Sequence, residues 1–259
     1  TAMVGFWATL SLNIPDFTRE AKSQRDQMLG QLIGLNATMP LYAFIGVAVT
    51  SATFVIFGET IWDPVQLLAR FESPVLVTIS MLALALATLT TNLAANLVAP
   101  STAFSNFIPK RISLRVGGLI TGSIGIAVMP WKLIADPSGY IFTWLIGYSA
   151  LLGPIGGILI CDYFIINRTR YDLAALYEAG GIYNYSNGYN PIALIALILG
   201  ILPNIPGFLA QVSPLNVPAF FVNLYSYAWF IGFILSGLIY FILMRRIPAR
   251  NQKTSTVKT

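Results

Sequence analysis

The sequence has no histidine, a single cysteine and few charged residues. Without histidine the chain cannot form His-dependent zinc sites, catalytic triads or histidine-ligated haem, and the lone Cys161 supports no disulfide framework. Only 10% of the 259 residues are charged, whereas 56% are hydrophobic, and the mean hydropathy is +0.72. Because no water-soluble domain of this size needs so much apolar surface, the composition predicts an all-α polytopic membrane protein.

Long apolar runs separated by polar loops define the predicted membrane spans. The chain begins with Thr1, and its first apolar run reaches polar residues by Asn13, short of the roughly 20 residues that cross a bilayer. Neither the basic start nor the cleavage site of a signal peptide is present, so we expect that an N-terminal portion of the protein is missing. The prediction is a single transmembrane domain over 1–259, with a half-span at about 2–13, spans at about 29–57, 74–98, 116–133, 140–160, 191–212 and 217–244, and a tail at 245–259.

The positive charges collect in alternate loops. If the loop after Asn13 is cytoplasmic, all of the 15 lysines and arginines except Arg70 and Lys132 fall on that side. This distribution is what the positive-inside rule predicts, and it places the tail 245–259 in the cytoplasm. The net charge of +5 is therefore explained by membrane topology, and we expect contacts with lipid rather than with nucleic acid.

The apolar run 81–100 has a polar centre. On a helix, Ala87, Thr90 and Thr91 share one face, and Asn92 and Asn96 share a neighbouring face. Hydroxyl and carbonyl oxygens without a carboxylate suit a monovalent cation, which favours sodium over calcium or magnesium. Asparagine amides complement the amide and ureide edges of heterocycles. The alternative is interhelical adhesion, in which each hydrogen bond contributes about 0.6–2 kcal/mol.

Two further features allow a functional and a structural interpretation. The indole of Trp7 could stack on a flat ring or anchor the chain at the membrane interface. The span at 140–160 contains a group of small residues and a proline that favour either a flexible gate or close helix packing; these are Gly153, Pro154, Gly156 and Gly157. Asp16 and Asp162 are interpreted as loop or cap carboxylates. Ionisable residues are essentially absent from the spans, which argues against a membrane-embedded enzyme.

Four motifs carry a resemblance to a known family. The segments 5–19 (GFWATLSLNIPDFTR), 86–96 (LATLTTNLAAN), 109–113 (PKRIS) and 153–157 (GPIGG) resemble the nucleobase:cation symporter-1 family in order and spacing, with the bacterial hydantoin, allantoin and uracil branch most similar. The resemblance implies the second half of a twelve-helix protein with the five-plus-five inverted-repeat transporter fold. The chain would then hold the second repeat and the two C-terminal helices, while the first repeat would be absent.

The resemblance also implies residue roles. Trp7 matches the tryptophan that stacks on the substrate ring, and Asn92 and Asn96 match asparagines near its polar edge. The carbonyl of Ala87 and the hydroxyls of Thr90 and Thr91 match the cation site; the family more usually has serine at one of these hydroxyl positions, and Thr90 keeps the oxygen. The first-helix carbonyls and the third-helix tryptophan and glutamine that complete both sites are not in this chain.

We therefore expect the complete protein to be a cation symporter that imports a nucleobase or a related heterocycle, such as allantoin, uracil or hydantoin, by alternating access. It would use no covalent cofactor, would couple to sodium rather than to protons, and would lie in a bacterial inner membrane. Two alternatives stay open at this point: a receptor or scaffold fragment that transports nothing, and a cytosine or purine permease of the same family.

Overall fold

A computed structural model of the chain describes residues 1–136, 138–178, 181–186 and 188–246, and these residues are mostly helical. Most of the predicted tail 245–259 lies outside the described residues, from 247 onward. Within the described part, six helices are long and apolar enough to cross a membrane. The main helices are α1 (Ala2–Leu12), α2 (Gln24–Phe57), α3 (Pro74–Phe107), α4 (Leu114–Ala127), α5 (Ile146–Ile160), α6 (Pro191–Val212) and α7 (Ala228–Arg245).

Shorter elements connect or extend these helices. Short α-helices occupy Pro15–Thr18, Pro64–Leu68, Pro130–Ala135, Leu173–Leu176 and Ala219–Tyr225. Wider π-helical turns form Leu93–Val98 inside α3 and flank α5 as Gly139–Leu145 and Cys161–Ile166, and α6 contains a 3₁₀ turn at Leu202–Asn204. The described residues thus form an α-helical chain, as the composition predicts.

Internal contacts divide the chain into two compact units, and the prediction of one transmembrane domain stays a prediction. The central unit comprises residues 13–128, and the terminal unit comprises residues 1–12 together with 129–259. Each unit is described by itself below.

The central unit contains α2, α3 and α4. Helix α2 begins at Gln24, five residues before the predicted span, because the Ser23 side chain accepts a hydrogen bond from the Asp26 backbone at 3.1 Å and so caps the first turn. It ends at Phe57 and is capped by Gly58, whose φ of 76° suits glycine. The C-terminal part of α3 packs closely on α4, since a Cβ on Gly117 would meet the Ser101 carbonyl oxygen at 2.5 Å.

The terminal unit is organised around α5, which packs against α1, α6 and α7. The closest approach is to α7, where a Cβ on Gly153 would lie 2.3 Å from the carbonyl oxygen of Trp229. Two small clusters of buried residues form its core: Ala150, Tyr225 and Ala228 in one, and Cys161, Ala196 and Tyr240 in the other.

Two predicted spans are interrupted in the structure. The predicted span 116–133 corresponds to α4 and the short helix Pro130–Ala135, with Met129 between them at a φ of 52°. Proline lacks an N–H group and disfavours helical geometry in the preceding residue, so the helix stops before it. The predicted span 217–244 corresponds to Ala219–Tyr225 and α7, which are separated by a turn at Ser226 and Tyr227.

Candidate functional site

Two of the three predicted cation ligands lie side by side on α3. The Thr90 hydroxyl donates to the carbonyl oxygen of Leu86 at 2.9 Å or to that of Ala87 at 3.1 Å. The Ala87 and Thr90 oxygens are therefore close enough to bind one ion together. Since the hydroxyl gives its proton to the helix backbone, its lone pairs remain available to a cation. Thr91 follows as the next residue of the same helix and is exposed.

The two predicted substrate asparagines contact each other. The Asn96 amide nitrogen donates to the Asn92 amide oxygen at 2.5 Å. This bond occupies one acceptor and one donor of the pair, and it leaves the Asn92 amide nitrogen and the Asn96 amide oxygen to face a ligand. The pair therefore offers a free NH2 group as donor and a free amide oxygen as acceptor, and these can match an adjacent C=O and N–H of a heterocycle.

The backbone changes at this point in α3. Asn92 ends the regular α-helix, and Asn96 lies within the π-helical turn Leu93–Val98. Single π-helical turns inside α-helices occur frequently at functional sites, because the wider turn redirects side chains and backbone carbonyls. The apolar pattern of the sequence does not predict this turn.

The polar cluster on α3 is exposed in the central unit. Its five members, Ala87, Thr90, Thr91, Asn92 and Asn96, are all exposed, and no residue of α3 from 74 to 98 is buried. Polar side chains that face hydrocarbon are costly unless they meet protein or water. The cluster therefore requires a polar surface or an aqueous cavity opposite it in the membrane.

Trp7 lies in the terminal unit, on α1. Its neighbours Gly5 and Ala8 are buried, and the Thr9 hydroxyl is 2.9 Å from the Tyr148 hydroxyl of α5. The Trp7 indole N–H is buried and has no hydrogen-bond partner among the described residues. The structure thus brings Asn92 and Asn96 together in one unit and holds Trp7 in the other, so the stacking role of Trp7 stays a prediction.

The predicted gating residues line the contact between α5 and α7. A Cβ on Gly157 would lie 2.1 Å from the Phe233 carbonyl oxygen, and the Ser236 hydroxyl donates to the Pro154 carbonyl at 2.8 Å. Gly156 differs, because a Cβ there would meet only the Phe233 ring at 3.4 Å. These contacts are typical of close packing between small residues. A gating role for Gly153, Pro154, Gly156 and Gly157 stays a prediction.

Asp162 is the centre of a hydrogen-bond network at the end of α5. Its carboxylate accepts hydrogen bonds from the Tyr171 hydroxyl, from the Asn167 amide at 2.9 Å and from the Tyr240 hydroxyl at 2.6 Å. The pKa of Tyr171 is raised above its ordinary value, mainly by burial and to a smaller extent by the hydrogen bond to Asp162 and the charge of that residue. The Tyr171 hydroxyl therefore stays protonated and donates. The interpretation of Asp162 as a cap or loop carboxylate did not include these partners, of which Asn167 and Tyr171 are near in sequence and Tyr240 lies 78 positions later.

Comparisons with known proteins agree with the resemblance in the motifs. Residues 1–232 match the model of a family described as permease for cytosine/purines, uracil, thiamine, allantoin. The chain is 45% identical over 259 residues to a purine-uracil permease from Arabidopsis thaliana, covering 99% of this chain and 43% of the relative. It is 40% identical to the allantoin permease of Bacillus subtilis, covering 100% of this chain and 51% of the relative.

A solved structure shares the fold. The inward-facing conformation of Mhp1 matches with a TM-score of 0.63 and 25% identity, and the match covers 95% of this chain and 51% of that one. The chain thus spans about half the length of the relatives it matches. The all-α membrane fold and the family predicted from the motifs are confirmed: the chain belongs to the family of permeases for cytosine and purines, uracil, thiamine and allantoin, the nucleobase:cation symporter-1 family.

Proposed function

We propose that the complete protein containing this chain is a secondary transporter that imports a nucleobase or a related heterocycle together with a cation. Allantoin, uracil and hydantoin are the expected substrates, and sodium is the expected coupling ion. The protein would lie in a bacterial inner membrane with its C-terminus in the cytoplasm, on the side that holds most of the lysines and arginines. Membership in a permease family favours transport over catalysis and over a scaffold role.

The observation that carries this proposal is the exposed polar cluster on α3. Two hydroxyls, one carbonyl and two amides lie within ten residues of a helix whose other residues are mostly apolar. If they served only adhesion between helices of the central unit, they would be covered by α2 or α4, yet all five residues are exposed. A cluster of uncharged oxygens beside an amide pair supports a site for a monovalent cation next to a neutral ring.

The amide pair also supports a substrate class. Two relatives have names that refer to uracil and to allantoin, and both molecules carry ring N–H groups adjacent to carbonyl oxygens. The Asn92 amide nitrogen would donate to such a carbonyl, while the Asn96 amide oxygen would accept from the N–H. Trp7 would stack on the ring face, which contributes affinity without selecting among flat heterocycles.

The proposed coupling of cation and substrate follows from the neighbouring positions of the cation ligands and the amide pair on α3. The cation ligands Ala87, Thr90 and Thr91 directly precede Asn92 on α3, so an ion that orders this turn also orients the amide pair. Transport then requires only that the cation bind more tightly to the conformation that binds substrate, and this coupling is reciprocal. Alternating access would expose the site first to one side of the membrane and then to the other.

The experiment is an uptake panel with the full-length protein in proteoliposomes. Radiolabelled allantoin, uracil, hydantoin, cytosine and a purine are each presented with an inward sodium gradient, and separately with an inward proton gradient at constant sodium. We expect uptake of at least one ring with the sodium gradient and little with the proton gradient alone. Uptake that follows only the proton gradient would contradict sodium coupling, and no uptake of any ring would contradict the transport proposal.

A further inference from the structure

The connection between α3 and α4 carries positive charge without a partner in the described part of the chain. The chain reverses there in a tight turn, in which the Arg111 backbone N–H donates to the Ile108 carbonyl at 3.0 Å. Three exposed basic residues, together named the basic turn, lie at this reversal: Lys110, Arg111 and Arg115. Among the described residues, none of their side chains forms an ion pair or a hydrogen bond.

Another basic segment of the central unit differs in its balance of charge. Segment 16–26 also has three basic residues, but three carboxylates accompany them, and Arg19 lies 3.7 Å from Glu20. Its three positive and three negative charges cancel. Around the basic turn, in contrast, the sequence has no aspartate or glutamate between Glu72 and Asp136. The unbalanced positive charge of these two segments is therefore confined to the basic turn.

The charge of the basic turn does not serve the stability of α4. Arg115 lies in the first turn of that helix, which contains no acidic residue. The N-terminus of a helix carries partial positive charge, so a cation at this position is unfavourable. Three like charges within six residues also repel one another. A bound anion would relieve both effects.

Large apolar side chains flank the basic turn on both sides. Phe107, at the end of α3, is 82% exposed, and Leu114, at the start of α4, is 59% exposed. Both helices belong to segments that are long and apolar enough to cross a membrane. The turn therefore lies where hydrocarbon meets lipid headgroups. At this depth apolar side chains enter the acyl region, while lysine and arginine extend toward the phosphates.

We propose that the basic turn binds the headgroup phosphate of an anionic phospholipid, whose acyl chains contact Phe107 and Leu114. A zwitterionic headgroup brings no net charge to the three uncompensated cations, so the site selects anionic lipid. A soluble anion would bind the cations but would leave both apolar side chains without a partner. This inference does not depend on the transport function.

The test uses the full-length protein in detergent. Lipids compete with phosphatidylglycerol that carries a fluorophore on an acyl chain, and fluorescence anisotropy measures the competition. We expect phosphatidylglycerol to compete at least about tenfold more strongly than phosphatidylcholine with the same acyl chains. Glycerophosphoglycerol, the same headgroup without acyl chains, should not compete at these concentrations. Equal competition by the two lipids would overturn the proposal, and so would displacement by the soluble headgroup, which would indicate a site for soluble anions.

Two variants with the same change of charge locate the binding. The first replaces the basic turn with glutamine: Lys110→Gln, Arg111→Gln and Arg115→Gln. The matched control makes the same change in the balanced segment: Arg19→Gln, Lys22→Gln and Arg25→Gln. We expect the first variant to bind phosphatidylglycerol no better than phosphatidylcholine, whereas the control keeps the preference. An equal loss in both would indicate a general attraction between anionic lipid and a positive protein and would overturn the proposal, as would an unchanged preference in the first variant.

Arg111→Gln alone tests the site even if the triple variant fails to fold. A basic residue near the membrane surface contributes about fivefold in affinity for anionic lipid. We therefore expect about fivefold weaker binding of phosphatidylglycerol and unchanged binding of phosphatidylcholine. Arg25→Gln is the control and should bind both lipids like the unchanged protein. Equal affinities of Arg111→Gln and Arg25→Gln for phosphatidylglycerol would overturn the proposal.

Discussion

The Asp162 carboxylate accepts a 2.6 Å hydrogen bond from the hydroxyl of Tyr240, a residue 78 positions later in the chain. Tyr240 is 1% exposed, and its oxygen in turn accepts from the Asn190 amide at 3.1 Å. Because Asp162 follows α5, Asn190 caps α6 and Tyr240 belongs to α7, this chain of two hydrogen bonds joins all three helices. It explains why a carboxylate at the end of an apolar span is tolerated.

Tyr240→Phe should therefore destabilise the protein. The substitution keeps the ring and removes the hydroxyl, so Asp162 loses a donor and Asn190 loses an acceptor. A hydrogen bond to a charged group contributes about 1.5–3 kcal/mol, and we expect a loss of stability in this range. Denaturant unfolding in detergent measures it. Tyr227→Phe is the control, because Tyr227 is 63% exposed; equal stability of the two variants would contradict a stabilising role for the network.

Two neighbouring glycines of α5 should respond differently to alanine. Gly157→Ala would place a methyl group 2.1 Å from the Phe233 carbonyl oxygen, so α5 and α7 would have to separate. We expect a loss of about 1–3 kcal/mol or more in unfolding free energy, as for other overpacked contacts. Gly156→Ala meets only an ordinary contact at 3.4 Å and should be neutral or stabilising by about 0.5–1 kcal/mol.

The same pair of variants bears on the gating prediction. If α5 must bend at its glycines during transport, Gly156→Ala should slow uptake although the protein remains stable. If these residues serve packing alone, uptake by Gly156→Ala should equal that of the unchanged protein. Uptake in proteoliposomes, measured beside unfolding free energy, separates the two outcomes.

Thr90 offers a conservative test of the cation site. Thr90→Val keeps the shape and removes the hydroxyl oxygen that lies 3.1 Å from the Ala87 carbonyl oxygen. We expect the sodium concentration for half-maximal uptake to rise at least about tenfold, which corresponds to about 1.4 kcal/mol. Thr90→Ser keeps the oxygen and should retain sodium dependence close to that of the unchanged protein. An unaltered sodium dependence in Thr90→Val would remove this residue from the cation site.

The sequence predicted the helical elements and the polar cluster but not the geometry within them. Apolar runs of sufficient length predict spans because backbone N–H and C=O groups in a bilayer must form their hydrogen bonds within a helix. The motif from Leu86 to Asn96 predicted the polar cluster on α3. The π-helical turn after Asn92 is defined by which backbone carbonyl each backbone N–H group bonds. The periodicity of the side chains carries no information on this pairing. The contacts of Gly157 with Phe233 and of Asp162 with Tyr240 join residues far apart in sequence, and one sequence offers no signal for them.

The environment of Asn204 could likewise not be predicted from the sequence. The residue lies within the apolar span 191–212, between Pro203 and Pro206, and nothing in composition distinguishes it from an asparagine that caps a helix after a break. Only the structure shows that its amide nitrogen is paired while its amide oxygen is buried and unpaired within the described chain.

The most direct test of the central claim is substrate binding by Asn96→Ala in the full-length protein. This variant removes the acceptor of the proposed substrate edge, and it also removes the amide that bonds to Asn92 at 2.5 Å, so the Asn92 donor is no longer held in place. Thr78→Val is the matched control, because it removes a polar group from the same helix about 18 Å from Thr90 along the axis. With the heterocycle identified in the uptake panel, the account predicts that Asn96→Ala inserts normally and loses binding, whereas Thr78→Val retains it. Binding by Asn96→Ala equal to that of the control would contradict the assignment of the polar cluster on α3 as the substrate site.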